Sequence, residues 1–187
     1  MDPILHPAAG WDEHDLDVHL LDGPPPHGFD CGRVEQNEFF YARAWPDQQR
    51  RLSVTRLFLV KGILAAYVTT LADAIELGTR EKDEGVRYPT LAAIKIAQLA
   101  VDRRFGGVGF GRLLVAYVIE YAKQASVGIG CRYVTVDARP ELEAWYAAQG
   151  FVRNKVVNKR KLEHARAAGR DERDLPVSMR YDLLEAV

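Results

Sequence analysis

The sequence predicts an α/β (α+β) domain built on a central, mixed, mostly antiparallel sheet with helices packed beside it. Three observations carry this reading. Two β-rich runs, Val54–Val60 and Ile63–Leu71, flank a two-residue Lys61-Gly62 break, the pattern of an antiparallel hairpin. A third apolar run, Ala92–Val101, leads into a glycine cluster and then into a stretch with helical apolar spacing. Strand and helix patterns then alternate through the rest of the chain, as they do where strands are joined through helices.

The elements follow in order. Residues 1–30 are rich in Pro, Gly, His and Asp, and Pro24-Pro25-Pro26 cannot sit inside a helix. They read as a tail (residues 1–15), a short strand near Asp17–Asp22 and a loop. Cys31–Trp45 has helical character, with Val34, Phe39, Phe40 and Ala44 available for burial, and Pro46 is expected to end it. After the hairpin, Glu76–Pro89 is charged and carries Gly78, Gly85 and Pro89, so it reads as a surface loop. Ala92–Val101 is mostly apolar, as a central strand would be. Arg112–Gln124 presents Leu113, Leu114, Ala116, Tyr117 and Ile119 at helical spacing, and this helix should end near Ser126–Gly128. Arg132–Val136 reads as a strand. Pro140–Gln149 reads as a helix, with Pro140 in its first turn and Gly150 just past its end. Phe151–Val157 is a further strand, Asn158–Asp174 a strongly charged helix, and Pro176–Leu184 a last strand.

Composition narrows the function classes. The chain has 187 residues, of which 48% are apolar, which suits one domain (1–187) with a real core and argues against a disordered regulator. Within it, residues 158–175 read as a charged insertion. The formal net charge of -1 lacks the global basic balance of a nonspecific nucleic-acid binder, so such contact would need a local patch. The two cysteines, Cys31 and Cys131, have no metal-site spacing and suit unpaired thiols in a reducing compartment. No basic start precedes an apolar run near Met1, and no stretch reaches about 18 apolar residues. A cytoplasmic protein without a bound metal is the expectation.

The chemistry sits in Gly106-Gly107-Val108-Gly109-Phe110-Gly111, between an apolar strand and an apolar helix. Glycines there allow backbone conformations that other residues avoid. They also let a ligand approach the N–H groups of a helix N-terminus, where the dipole favours anions. A pyrophosphate is the natural guest, and Arg112 could add a charge-assisted contact. A tight strand-to-helix turn that binds nothing is the competing reading. A dinucleotide site is a poor fit, because its fingerprint is Gly-x-Gly-x-x-Gly early in a βαβ unit, and here Gly-x-Gly-x-Gly follows three strands. A P-loop is excluded, since no Gly-Lys-Ser/Thr occurs.

On these residues the chain resembles the GNAT superfamily of N-acetyltransferases. The matching segments are Leu99-Ala100-Val101-Asp102, then Gly107-Val108-Gly109-Phe110-Gly111-Arg112-Leu113-Leu114, and later Ala144-Trp145-Tyr146-Ala147-Ala148-Gln149-Gly150-Phe151. The resemblance implies a sheet splayed between two strands and acetyl-CoA as cosubstrate. It implies that the backbone of Leu99, Ala100 and Val101 pairs with the pantetheine arm, and that Gly107, Val108, Gly109, Phe110, Gly111 and Arg112 hold the pyrophosphate. The family usually has Arg or Gln where this chain has Gly106, so a side-chain brace for the phosphates is missing, and Arg103 or Arg104 is the candidate replacement. Phe29-Asp30-Cys31-Gly32 with Asn37-Glu38-Phe39, Leu99–Phe105, and Pro176-Val177-Ser178-Met179 are similar to the subgroup that includes aminoacyl-tRNA-acetylating toxins.

GNAT chemistry is direct attack of an amine on the thioester. It asks for a neutral amine and a proton for the departing thiolate. The resemblance places a tyrosine near the sulfur and so implies Tyr146 as the acid. Asp73, Glu76, Asp102 and Glu143 are the options for a base, with water as the alternative. The acceptor is either a small-molecule amine or the amino group of an aminoacyl-tRNA. Arg153, Lys155, Lys159, Arg160 and Lys161 form a local basic cluster that reads either as a patch for tRNA phosphates or as a solvated face, since acidic residues alternate beyond it. A homodimer, for which the apolar hairpin Val54–Leu71 and the last strands could supply a surface, and an antitoxin are the partners the resemblance adds. The alternative function is a GNAT-fold module that binds CoA without efficient turnover.

Overall fold

The computed structural model describes residues 13–77, 86–154, 167, 171 and 175–184. It contains seven strands: β1 (Leu16–Leu20), β2 (Val54–Val60), β3 (Ile63–Glu76), β4 (Thr90–Val101), β5 (Tyr133–Ala138), β6 (Val152–Arg153) and β7 (Val177–Asp182). Their order in the sheet is β1-β2-β3-β4-β5-β7-β6. The pairs β1–β2, β2–β3, β5–β7 and β6–β7 are antiparallel. The α-helices among the described residues are α1 (Val34–Glu38), α2 (Ala44–Gln49), α3 (Phe110–Ile129) and α4 (Glu143–Ala147). A mixed sheet with flanking helices is the expected fold class.

The chain divides into two compact units, residues 1–71 with 96–118 and residues 72–95 with 119–187. The first unit is organised by the β2–β3 hairpin. Lys61 (φ 50) and Gly62 (φ 77) both take positive φ, the backbone of a tight two-residue turn whose twist suits the flanking strands. On the hairpin, Thr55 and Thr69 face each other with hydroxyls 2.8 Å apart, both fully buried and mutually satisfied. The pairing slips between Phe58 and Leu59, where Leu59 meets Leu64 and Ala65 becomes the extra residue of a bulge. The Ala65 carbonyl is then used by the far end of β4, accepting the Asp102 N–H at 2.8 Å.

The core of this unit joins Leu21, Phe29, Phe40, Ala44, Leu57, Leu64, Tyr67 and Ala100. Tyr67 stacks on Phe40 at 4.6 Å between centroids, and Phe29 meets both rings. The segment that supplies Phe40 differs from expectation. It is α1, a π-helical turn over Phe39–Arg43, and α2. Pro46 does not end it. Helical geometry restarts after the wide turn, so Pro46 falls in the first turn of α2, where a missing N–H breaks no intrahelical bond. Val34, expected to be available for burial, is 71% exposed, because α1 turns its Gln36 side inward instead. Gln48 ties the unit together by donating to the Leu21 carbonyl and accepting the Thr55 N–H.

In the second unit β5 pairs with β7 from Tyr133↔Asp182 to Ala138↔Val177. Arg132 grips Asp182 with two nitrogens, at 2.7 and 3.1 Å. Lys95 meets Asp137 at 2.6 Å, and Thr135 donates to Asp73 at 2.7 Å. Beside these polar pairs lies a small apolar cluster of Ile75, Leu77, Ala93 and Tyr133. Burial of Ile75 explains why β3 runs to Glu76 and not to Leu71: packing overrides the weak β-propensity of Ala72-Asp73-Ala74.

The expected helix after β5 is shorter than its pattern suggested, a 3-10 turn over Pro140–Leu142 followed by α4. Gly150 closes it with φ 88, and a Cβ there would sit 2.9 Å from the Tyr181 ring. Residues 155–157 of the expected sixth strand, nearly all of the expected 158–174 helix, and residues 78–85 of the expected loop lie outside the described residues. No described helix is long and apolar enough to cross a membrane.

Candidate functional site

The site is built from the end of β4 onward. Asp102 follows Val101 and caps the 3-10 turn Arg103–Phe105 by accepting the Arg104 N–H at 2.9 Å. Its other oxygen accepts the Asp30 N–H at 3.0 Å. The Arg104 guanidinium completes the set, with Nε at 2.7 Å from Oδ1 and Nη2 at 3.0 Å from Oδ2. Burial works against the Asp102 charge. The hydrogen bonds from the Arg104 side chain and from the Asp30 and Arg104 amides outweigh it, and the carboxyl stays below its ordinary value. Arg104 also donates to the Gly28 carbonyl at 3.2 Å. Its guanidinium is therefore engaged at the turn, although half of the side chain is exposed.

The glycines then change the chain's direction. Gly107 (φ 78) and Gly109 (φ 96) occupy conformations that a side chain would strain, and α3 begins at Phe110. The Gly109 carbonyl accepts the Arg112 and Leu113 amides at 3.0 and 3.1 Å, which closes the first turn. Phe105 packs edge-on against the buried Phe110 at 5.7 Å and holds the turn from below. A helix of 20 residues starts here, so its partial positive end faces the exposed Gly106-Gly107 bend, with Arg112 exposed one turn in. A backbone cradle of this kind suits a phosphate or pyrophosphate. Gly106 itself has ordinary extended geometry (φ -66, ψ 146), so no backbone strain demands glycine there.

The β4 residues expected beside the ligand are placed differently from one another. Ala100 is buried in the core, so only its main chain is on offer. Leu99 and Val101 are half-buried. The Leu99 carbonyl receives the Gln36 carboxamide at 3.0 Å.

The segment that supplies Gln36 has a structural role beyond the sequence resemblance noted for it. Asp30 Oδ1 accepts the Gly32 N–H and the Asn37 amide, each at 2.7 Å, and Asn37 Oδ1 accepts the Cys31 N–H at 3.1 Å. The Arg103 N–H donates to the Asp30 carbonyl at 2.9 Å. The Arg103 side chain lies over Gly32, where a Cβ would come within 2.6 Å of its Nε. This lacing binds the Phe29–Asn37 segment to the β4 end and the turn. The Asp-x-Gly spacing, an Asx-turn signature with Gly32 at φ 80, was the available signal.

Tyr146 belongs to the second unit. It is buried, with its ring against Trp145 at 4.8 Å and Phe151 at 5.5 Å. Burial pushes its hydroxyl up to about 12, so it is protonated at neutral pH. Of the carboxylates, Asp102 is fully engaged at the turn, Asp73 accepts from Thr135, and Glu76 is exposed at the end of β3. Glu143 is paired with Arg153, Nη2 to Oε2 at 2.6 Å, which holds its carboxyl below the ordinary value. Of the expected basic cluster, Arg153 is exposed and shares its charge with Glu143, while Lys155, Lys159, Arg160 and Lys161 lie outside the described residues. Among the described residues no group of His, Cys, Asp and Glu could hold a metal ion.

The model of the acetyltransferase (GNAT) domain matches residues 63–164, more than half of the chain, and the chain belongs to that family. That span includes β4, the glycine turn and Tyr146. Among curated proteins, a probable glucosamine 6-phosphate N-acetyltransferase 2 from Oryza sativa subsp. japonica is 39% identical over 61 residues, 33% of this chain. The match spans 34% of that relative's length, about one third. Among solved structures, AtaT complexed with acetyl-methionyl-tRNAfMet is similar at TM-score 0.75 and 19% identity, over 91% of this chain and 96% of that one. A tyrosine-to-phenylalanine mutant of KacT gives TM-score 0.74 at 19% identity, again over 91% and 96%. AtaTR bound with acetyl-CoA gives 0.71 at 19% identity, over 92% and 96%. At these identities the structural likeness establishes the fold.

Proposed function

We propose that this GNAT-family chain is an acetyl-CoA-dependent N-acetyltransferase that acetylates a primary amine by direct attack. The observation that carries the proposal is the Gly107–Gly109 bend, which delivers the end of β4 into the N-terminus of a 20-residue helix. Main-chain groups of Leu99, Ala100 and Val101 pair with the pantetheine arm. The amides of Gly107, Val108, Gly109, Phe110, Gly111 and Arg112, with the Arg112 charge, hold the pyrophosphate. Arg104 contributes by fixing the turn through Asp102, and offers the phosphates what remains of its exposed guanidinium.

In the reaction the neutral amine attacks the thioester carbonyl, the C–N bond forms, and the C–S bond breaks. The Tyr146 hydroxyl donates to the departing thiolate sulfur. A phenol near 12 is a weaker acid than an ordinary thiol, so this donation works as a hydrogen bond that stabilises the developing charge. The amine's own proton leaves to water: Asp73, Asp102 and Glu143 each already have a partner, and Glu76 stands in solvent at the end of β3.

The acceptor is a primary amine of one of two kinds. AtaT, which shares the fold over most of both chains, has been solved with an acetylated aminoacyl-tRNA, and that favours an aminoacyl-tRNA. The partial match to a glucosamine 6-phosphate acetyltransferase favours a small amine bearing phosphate. For the tRNA acceptor, Arg153, Lys155, Lys159, Arg160 and Lys161 supply the phosphate contacts, and an antitoxin partner follows by analogy with AtaR on AtaT. A homodimer through the hairpin face completes the proposal. We place the protein in the cytoplasm, where two free thiols, Cys31 and Cys131, persist.

A second reading, a CoA-binding module with weak turnover, is favoured by Gly106, which leaves the phosphates without the family's usual brace. Thiol release from acetyl-CoA, assayed with glucosamine 6-phosphate, simple amines and charged tRNA, separates the readings. Acetyl-CoA binding without thiol release on any acceptor supports the module.

A further inference from the structure

Gln36 reaches a main-chain group of the strand that the glycine turn continues. Its Nε2 donates to the Leu99 carbonyl at 3.0 Å. A carbonyl offers only acceptor lone pairs, so the NH2 end of the amide is the one that faces it. The opposite end, Oε1, lies 3.8 Å from Cys31 Sγ, a weak donor. Gln36 is also held through its main chain, because the Tyr67 hydroxyl donates to the Gln36 carbonyl at 2.8 Å. Tyr67 is fully buried and stacked on Phe40, so this anchor is rigid.

The backbone tells which edge of β4 Gln36 addresses. The Asp102 N–H points to β3, where it meets the Ala65 carbonyl. Along an extended chain successive peptide groups point in opposite directions. The carbonyls of Val101 and Leu99 therefore point to the edge of β4 away from β3. A ligand pairing with the Leu99 and Val101 main chain uses that edge. A carbonyl oxygen carries two lone pairs, so the Gln36 bond and a second donor can share the Leu99 carbonyl.

We propose that Gln36 is a positioning residue for the acyl-CoA arm: its carboxamide fixes the Leu99 carbonyl so that the remaining lone pair receives a pantetheine amide N–H. The proposal rests on the acetyl-CoA reading above and names a residue of that site outside both the strand and the turn. Gln36 touches no reacting atom. Its contribution is equal in the ground and transition states, so it appears in KM and Kd and not in kcat.

The test is calorimetric titration of the full chain with acetyl-CoA between about pH 4.5 and 8, for wild type, Gln36→Met and Gln36→Glu, with steady-state kinetics on the same proteins. Gln36→Met keeps the volume and removes the donor. Its acetyl-CoA Kd should rise about fivefold to tenfold at every pH, the worth of one hydrogen bond. Gln36→Glu as a carboxylate repels the Leu99 carbonyl, and as a carboxylic acid donates to it. Its affinity should be poor at pH 8 and recover toward wild type as pH falls toward the ordinary Glu value of about 4.3. In both variants kcat stays within about twofold of wild type. A residue with only a structural role would lower the melting temperature without pH-dependent recovery. Wild-type Kd in both variants, or equal and pH-independent weakening in both, overturns the proposal while leaving acetyl-CoA binding intact. Failure of the wild-type chain to bind acetyl-CoA overturns the parent reading itself.

Discussion

Asp102 accepts the backbone N–H of Asp30 at 3.0 Å, across 72 positions of sequence, with the same carboxylate that caps the turn ahead of the glycines. One buried charge therefore anchors the N-terminal segment, the Arg104 guanidinium and the start of the glycine bend. Replacing it with alanine leaves the Asp30 and Arg104 amides and a guanidinium without their acceptor. Asp102→Ala should lose about 2–3 kcal/mol of unfolding free energy in a denaturant titration, with weaker acetyl-CoA binding.

The same group sets an acid limit. Its folded-state value is depressed below 3.8, so its contribution is present above the unfolded value and is lost as pH falls through the folded one. Stability measured from pH 7 down to about pH 2 should therefore decline below the ordinary carboxylate range in wild type. In Asp102→Asn, which starts less stable, that part of the decline should be missing.

Gly107 and Gly109 share one requirement, a positive φ of 78 and 96 that a side chain would strain. A Cβ at Gly107 would meet nothing within 4 Å, so alanine there suffers backbone strain at φ 78 and no clash. Gly107→Ala and Gly109→Ala should each cost about 1–2 kcal/mol in thermal or chemical unfolding. Each should also raise the acetyl-CoA KM, because relief of the strain turns the amides away from the phosphates.

Gly106 is the opposite case. Its φ of -66 and ψ of 146 suit any residue, and a Cβ would lie 3.3 Å from the Arg103 carbonyl, a tight contact that a small shift relieves. Gly106→Arg restores the family's usual brace and should tighten acetyl-CoA binding about threefold to tenfold by calorimetry, the gain shrinking as salt is raised.

In the proposed mechanism Tyr146→Phe removes the donor to the leaving sulfur, and it should lower kcat about 100-fold or more with little change in acetyl-CoA KM. Because burial holds the wild-type hydroxyl near 12, it stays protonated across the assay range. kcat/KM should climb with pH as the acceptor amine loses its proton, with no falling limb below about pH 10. A wild-type rate retained by Tyr146→Phe would remove the residue from the mechanism.

Much of the fold was legible because its signals are local. The Lys61-Gly62 turn, the apolar β4 and the glycine-to-helix junction each carry their pattern within a few residues. What was illegible depends on distant partners. Pro46 looked like a helix end, and only the π-helical turn at Phe39–Arg43, fixed by burial of Phe40, lets a new helix start around it. β3 runs past Leu71 because Ile75 finds the cluster with Ala93 and Tyr133. The glycines and Tyr146 were visible as parts of the family motif. The roles of Asp102, Asn37 and Gln36 were not, since each is defined by a bond to a residue elsewhere in the chain.

The most direct test of the central claim is a calorimetric titration of the full chain with acetyl-CoA, CoA and NAD, repeated on Gly109→Val. Wild type should bind acetyl-CoA and CoA but not NAD, and the folded variant should lose at least about tenfold in affinity. Binding of NAD without CoA, or wild-type acetyl-CoA affinity in a folded Gly109→Val, would contradict it.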